Sequence, residues 1–166
     1  MLELGIRLAA VIRCYADERA LDSIASTISN SYCRVAPDEL MIVERRDHAE
    51  DLHRWVEAKI RPDDPHAYIV DHSDGWVLVS LRGPAAYEAL HRLTYLRPGQ
   101  PGHPGIQGFV GDVAAKVFVY ETEIAVVVPA TASAFMWTRV KHACRGIETR
   151  CATTTDSDLA EATVNA

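Results

Sequence analysis

Apolar positions alternate with polar ones in some stretches of the chain and recur every three or four residues in others, so the sequence predicts both strands and helices. Strands are predicted at 6–15, 33–35, 40–44, 68–72, 76–81, 109–120 and 124–128, and helices at 17–28, 47–60, from Pro84 onward and at 131–144. The unit strand, turn, strand, helix thus occurs three times, ending near Ile60, Tyr95 and Cys144. This order predicts an α+β fold with mixed or antiparallel sheets covered by helices.

The stretch from Tyr68 to Leu96 shows one such unit clearly. Ser73-Asp74-Gly75 has turn composition, so the flanking apolar runs are predicted to form a tight hairpin. Gly83 can adopt backbone angles closed to other residues, and Pro84 fits the first turn of a helix, which is therefore predicted to begin there.

The predicted elements fill residues 1–147 as a single α+β domain, or as two small fused subdomains at about 1–62 and 66–147. Residues 97–108 hold three prolines and four glycines and are predicted to form an extended, partner-facing surface loop. Residues 148–166 are small and polar, so we expect a flexible C-terminal tail.

Composition narrows the class of protein. A formal net charge of -6 argues against a general binder of nucleic acid or of anionic membranes, and no apolar run approaches the roughly 20 residues that cross a bilayer. The first residues lack the pattern of a secretory signal, so we expect a cytoplasmic location. The four cysteines show no zinc-type spacing and are predicted to be free thiols.

Candidate chemistry is sparse. His48 and His53 would point about 140° apart on a helix, so they do not form a ready pair of metal ligands, and no metal site is predicted. Asp71 and Asp74 fit general acid-base groups less well than turn residues that bond their own backbone. Trp76 follows the turn glycine and is predicted to lie at a sheet edge where a planar ligand or a partner reaches it.

Several segments, taken in order, are similar to those of one family. They are Val70 to Gly75 (VDHSDG), Leu81 to Pro84 (LRGP), Arg34 to Leu40 (RVAPDEL), and a final strand followed by a helix that carries Phe135 and Trp137. In this respect the chain resembles the gamma subunit of heterotetrameric sarcosine oxidase and, more distantly, the folate-binding aminomethyltransferase of glycine cleavage. The similar segments span about Cys33 to Cys144.

The resemblance implies an aminomethyltransferase-like fold and a place in a flavoenzyme complex that oxidises N-methyl groups of small amines. Related aminomethyltransferases carry a catalytic Asp where this chain has Ala114, Ala115 and Lys116, so no catalytic residue is predicted here. The gamma chain of that family holds no flavin, so tetrahydrofolate and flavin are expected on a partner chain.

Three functions remain open at this point. The first is a non-catalytic accessory subunit that contacts larger flavin- and folate-binding subunits through its sheet or its loop. The second is a stand-alone enzyme or binding protein with an aminomethyltransferase-like pocket for folate or another planar ligand, formed by Asp71, Trp76 or Arg82. The third is a self-associating chain in which two copies replace the missing partner.

Overall fold

The computed structural model describes residues 1–28 and 31–152, which form nine strands and four α-helices. The strands are β1 (Leu2–Tyr15), β2 (Tyr32–Ala36), β3 (Glu39–Arg45), β4 (Tyr68–Asp71), β5 (Trp76–Arg82), β6 (Ile106–Val110), β7 (Val113–Val119), β8 (Glu123–Pro129) and β9 (Thr149–Cys151). The helices are α1 (Glu18–Ala25), α2 (Ala49–Ile60), α3 (Ala86–His91) and α4 (Ser133–Ala143). The α+β class predicted from the sequence is confirmed.

The strands form one sheet in the order β2-β3-β1-β5-β8-β7-β6, with β4 and β9 also paired to β1. The sheet curls until its two edge strands meet. The Gly105 amide donates a hydrogen bond of 2.7 Å to the Tyr32 carbonyl, and the Gln107 side chain donates one of 2.9 Å to the Val35 carbonyl. These contacts close the sheet nearly into a barrel and leave little exposed edge between β2 and β6.

Strand β1 organises the sheet because it is long enough to serve both halves. Its first half, Glu3 to Leu8, pairs with β5, and its second half pairs with β3 and with β4. Fourteen residues at about 3.3 Å each span roughly 46 Å, which explains how several strands share one neighbour.

The predicted hairpin between 68–72 and 76–81 is wrong. Both β4 and β5 run antiparallel to β1, one after the other along the same edge, with Asp71 opposite Ile12 and Val77 opposite Leu8. The turn residues Ser73–Gly75 form one turn of 3-10 helix, which bulges out between the two paired segments instead of reversing the chain. Ser73 fixes this bulge, since its hydroxyl accepts a 2.9 Å hydrogen bond from the Val11 amide.

Apolar side chains form three clusters. Helices α3 and α4 cover the first on one face of the sheet, and α1 and α2 cover the second beside the other half of β1. Strands alone supply the third, which lies on the face that the curled sheet encloses and includes the fully buried Phe118.

Two segments differ from their predicted boundaries. The predicted strand 109–120 divides into β6 and β7, because Gly111 and Asp112 both adopt positive φ angles, of 55° and 72°, and reverse the chain. Part of the predicted flexible tail is ordered, since β9 pairs in parallel with Leu2 to Leu4. The rest of the predicted tail, 153–166, lies outside the described residues. No helix in the described part of the chain has the length and apolar composition to cross a bilayer.

Candidate functional site

Asp71 lies at the end of β4 and bonds its own turn. Its carboxylate accepts hydrogen bonds from the Ser73 amide, at 2.9 Å, and from the Ser73 hydroxyl. Burial alone would raise the pKa of Asp71, but the Ser73 bonds and the charge of Arg46 outweigh it and hold the pKa below its ordinary value. This carboxylate therefore stays ionised near neutral pH and holds the bulge in place.

Trp76 begins β5, which is an interior strand between β1 and β8 rather than an edge strand, and it lies opposite Pro129 of β8. The ammonium group of Lys116 lies 5.2 Å from the centre of its ring. Phe109 is opposite Ala114 on β7, so it shares a sheet face with Lys116.

Arg82 lies at the other end of β5 and takes part in a ladder of charges. Glu3, Arg82 and Glu123 are directly opposite one another on β1, β5 and β8. Arg82 donates to Glu123 at 2.8 Å and to Glu3 at 3.2 Å, while Arg7 donates to both carboxylate oxygens of Glu123, at 2.6 and 3.3 Å. We call this part of the sheet the Glu123 end.

Two groups of the Glu123 end have shifted pKa values. Burial alone would raise the pKa of Glu123, but hydrogen bonds and charge from Arg7 and Arg82 lower it below the ordinary value. Burial raises the pKa of the nearby Tyr120 phenol to about 12. Both residues line a cavity of about 220 Å³, whose other lining residues are Arg7, Val43, Glu44, Arg45 and Leu78.

The structure does not bring the three predicted pocket residues together. Trp76 and Arg82 are six residues apart along β5, which corresponds to about 20 Å. Asp71 lies on the preceding strand, and its carboxylate already accepts a hydrogen bond from the Ser73 amide. Each of the three residues contacts a group of the protein itself, and Arg82 alone reaches the network that borders the 220 Å³ cavity.

The loop after α3 is the second surface of interest, and it is held at several points. Residues 93–96 follow the outer edge of β6: the Gly111 amide donates to the Leu93 carbonyl at 2.8 Å, and the Thr94 hydroxyl donates to the Phe109 carbonyl at 2.6 Å. Further along, the His103 amide donates to the Gln100 carbonyl at 3.1 Å. The loop is therefore shaped by the protein before any partner binds.

Three large side chains around this loop are exposed to solvent. Tyr95 is fully exposed, Phe109 is 71% exposed, and Tyr87 on α3 is 42% exposed. Tyr87 and His91 also line a groove of about 540 Å³, whose opposite wall is residues 97–101. We call α3, residues 93–105 and β6 together the loop surface.

Sequence reasoning identified the loop but missed the charge of its surroundings. From Ala89 to Gly111 the sequence contains no Asp or Glu, although the chain has 23 acidic residues and a net charge of -6. Arg97 has no acidic partner among the residues that the structure describes. Scanning the sequence for acid-free stretches would have revealed this signal.

The described residues include no cluster of metal ligands, and their buried thiols have raised pKa values. Within 1–28 and 31–152, no three His, Cys, Asp or Glu side chains converge as a metal site requires. Burial raises the pKa of Cys14 to about 12 and that of Cys33 to about 11, so both thiols remain protonated near neutral pH and act as packing residues.

Comparison with known proteins gives matches at the level of structure. No family model matches the sequence, and no curated protein does. A chain of the heterotetrameric sarcosine oxidase from Corynebacterium sp. U-96 superposes with a TM-score of 0.67 at 15% identity, covering 87% of this chain and 84% of that one. The aminomethyltransferase T of the glycine cleavage system from Bartonella henselae superposes with a TM-score of 0.61 at 11% identity, covering 90% of this chain.

These similarities establish the fold. The chain has the aminomethyltransferase-like fold that its resemblance to the sarcosine oxidase and aminomethyltransferase families implied. It covers 47% of the aminomethyltransferase chain, and so spans about half the length of that protein.

Proposed function

We propose that this chain is a non-catalytic accessory subunit of a multisubunit, flavin-dependent oxidase of sarcosine or another N-methyl amine. Larger partner chains bind the tetrahydrofolate and the flavin, and this chain contacts the folate-binding partner. One observation carries the proposal: the loop surface exposes aromatic side chains on a fold shared with a chain of a heterotetrameric oxidase. Exposed aromatic groups of this kind are typical of surfaces that a partner covers.

The side chains that would form a folate or planar-ligand pocket favour this proposal over a stand-alone binder. By the family resemblance, Ala114, Ala115 and Lys116 stand where related aminomethyltransferases carry their catalytic Asp, and the Lys116 ammonium covers a face of the Trp76 ring. Asp71 and Arg82 bond to Ser73 and Glu123. A ligand would have to displace these contacts, which supports the accessory role over a folate-binding one.

Retrieval of the tagged chain from its native cells at low salt tests the proposal. We expect larger chains to be retrieved with it, together with the absorption spectrum of a flavin. A chain retrieved alone and colourless, or only with further copies of itself, would contradict the accessory role. Retrieval of further copies alone would favour self-association. Retrieval of the chain alone and colourless would favour the stand-alone binder, and its ligand would then be sought.

A further inference from the structure

The groove between α3 and residues 97–101 has the geometry of a site for an extended chain segment. Its volume of about 540 Å³ lies within the range of small-molecule sites, so it has room for the side chains of a short segment. One wall carries the rings of Tyr87 and His91, whose centres are 6.2 Å apart. Pro98 and Pro101 lie in the other wall, so both walls present mainly apolar surface.

The charge of the groove selects the kind of segment. Arg97 lies in the groove wall and is exposed, within a stretch from Ala89 to Gly111 that has no carboxylate. The nearest acid in the sequence on one side, Glu88, pairs with Arg92 at 2.5 Å, and on the other side Asp112 pairs with Arg139. Within the described residues the groove therefore presents a positive charge that the protein itself does not neutralise.

The shape of the groove is fixed in advance. A Cβ atom on Gly99 would lie 2.7 Å from the Cβ atom of His103, so this glycine lets the loop fold back closely on itself. The His103 amide and ring nitrogen Nδ1 both contact the Gln100 carbonyl, at 3.1 and 3.0 Å. A pre-shaped groove loses less entropy on binding than a flexible loop does.

We propose that this groove binds an extended, acidic segment of the partner chain. A carboxylate of that segment contacts Arg97, and a neighbouring apolar or aromatic side chain packs on Tyr87. The assignment rests on the proposed accessory function and names the part of the partner that this chain recognises. Charge complementarity selects an acidic segment, because a basic one would face Arg97 without any compensating carboxylate.

Other concave regions fit such a partner less well. The cavity of about 670 Å³ beside α1 is lined by Arg19 but also by Asp17, Glu18 and Asp63, so its lining is negative on balance and would repel an acidic segment. In the cavity at the Glu123 end, both terminal nitrogens of the Arg7 guanidinium already donate hydrogen bonds to the Glu123 carboxylate. The loop surface is thus the region where an acidic segment gains most.

Site-directed photo-crosslinking tests where the partner lies. Tyr87 is replaced by p-benzoylphenylalanine in the full chain, and the matched control carries the same crosslinker at Tyr68, which is 66% exposed on β4. After retrieval from native cells and irradiation, we expect position 87 to crosslink to a peptide of a larger chain rich in Asp and Glu. Position 68 should give no such product.

Charge reversal tests how the segment is recognised. We expect Arg97→Glu to weaken the complex by at least about tenfold, since it removes an attractive charge and adds a repulsive one. Arg19→Glu, the same change on exposed α1, should alter affinity by less than about twofold. Exchanging the crosslinked acid of the partner for arginine should restore binding to the Arg97→Glu chain.

The outcomes separate this inference from the proposed function. If larger flavin-bearing chains are retrieved but crosslink only at position 68, or bind the Arg97→Glu chain unchanged, the groove assignment is wrong and the accessory role stands. A crosslink from position 87 to a second copy of this chain, or to a segment without acids, also overturns the assignment. If no larger chain is retrieved, both proposals fail together.

Discussion

Glu123 forms ion pairs with two arginines at once. Its side chain is 9% exposed and lies between two guanidinium groups, those of Arg7 and Arg82. Small side chains beside it leave room for this arrangement, since Gly5 on β1 is opposite Ser80 on β5. A Cβ atom on Gly5 would lie 2.6 Å from the Ser80 hydroxyl oxygen, so the site accepts little more volume there.

Glu123→Gln should destabilise the fold by about 2 kcal/mol, because two arginines lose a shared carboxylate while the volume is kept. Urea unfolding at neutral pH measures the change. Glu50→Gln removes an acid from the exposed pair with Arg54 and serves as the control, with an expected loss below about 0.5 kcal/mol. Equal losses in the two variants would mean that the Glu123 ladder contributes no more than a surface pair.

At low pH, Glu123 should no longer give the wild type a higher free energy of unfolding than the Glu123→Gln variant has. The folded-state pKa of Glu123 is lowered below its ordinary value of 4.5, since the two arginines outweigh the effect of burial. Its contribution is therefore complete above about pH 4.5 and is lost as the pH falls through the lower folded-state pKa. Urea unfolding across this range should show the wild-type and Glu123→Gln stabilities converging in acid; a constant difference would contradict the assigned pKa shift.

Gly105→Ala should destabilise the closure of the sheet by about 1 to 3 kcal/mol, the usual cost of overpacking. A Cβ atom there would lie 2.5 Å from the ring of Phe118, which is fully buried among its neighbours. Gly75→Ala is the control, because no atom lies within 4 Å of its added Cβ, and it should change stability by less than about 1 kcal/mol. Thermal unfolding compares the two; similar midpoints would show that Phe118 relaxes.

At the scale of elements, the sequence predicted which segments are strands and helices better than it predicted how strands pair. Residues 76–81 and 124–128 are nearly continuous apolar runs rich in β-branched residues, and both form strands. The pairing at Ser73 depends on β1, more than 60 positions earlier, whose amide at Val11 bonds to the Ser73 hydroxyl. Local turn composition carries no information about such a distant contact, so a bulge was predicted to be a hairpin.

The candidate site was predictable to a similar extent. Proline and glycine content marked 97–108 as a surface loop, and residues 97–105 do lie outside regular structure before β6 begins at Ile106. The partners of Asp71, Trp76 and Arg82 could not be derived in the same way. They come from other turns and strands, and only the folded sheet places Lys116 over Trp76 and Glu123 beside Arg82.

Strand β9 should stabilise the start of β1. The Leu2 amide donates to the Glu148 carbonyl at 2.8 Å, and the Ala152 amide donates to the Leu4 carbonyl at 2.7 Å. A chain ending at residue 147 should therefore show faster hydrogen exchange at Leu4 and Leu2 than one ending at residue 152, which keeps β9. Equal exchange in the two chains would show that β9 contributes nothing to the stability of β1.

At the scale of the molecule, acidic and aromatic groups are distributed unevenly. The chain carries a net charge of -6, yet the loop surface between Ala89 and Gly111 has no acid. The same surface exposes Tyr95 and Phe109. The negative charge elsewhere favours solubility of the free chain and would steer an acidic partner segment away from the other faces, leaving the loop surface as the favoured docking region.

Removing the aromatic rings of Tyr95 and Phe109 should weaken binding of the partner chains without destabilising the fold. Tyr95→Ser with Phe109→Ser should change the free energy of unfolding by less than about 1 kcal/mol, because both side chains are largely exposed. Retrieval of larger chains from native cells should nevertheless fall by at least about tenfold, since exposed aromatic groups supply much of the binding energy at interfaces. Tyr68→Ser with Phe135→Ser removes two exposed aromatic groups elsewhere and should retain the partners. If both double variants retain them equally, the docking surface lies elsewhere; if only the control loses them, it includes β4 or α4.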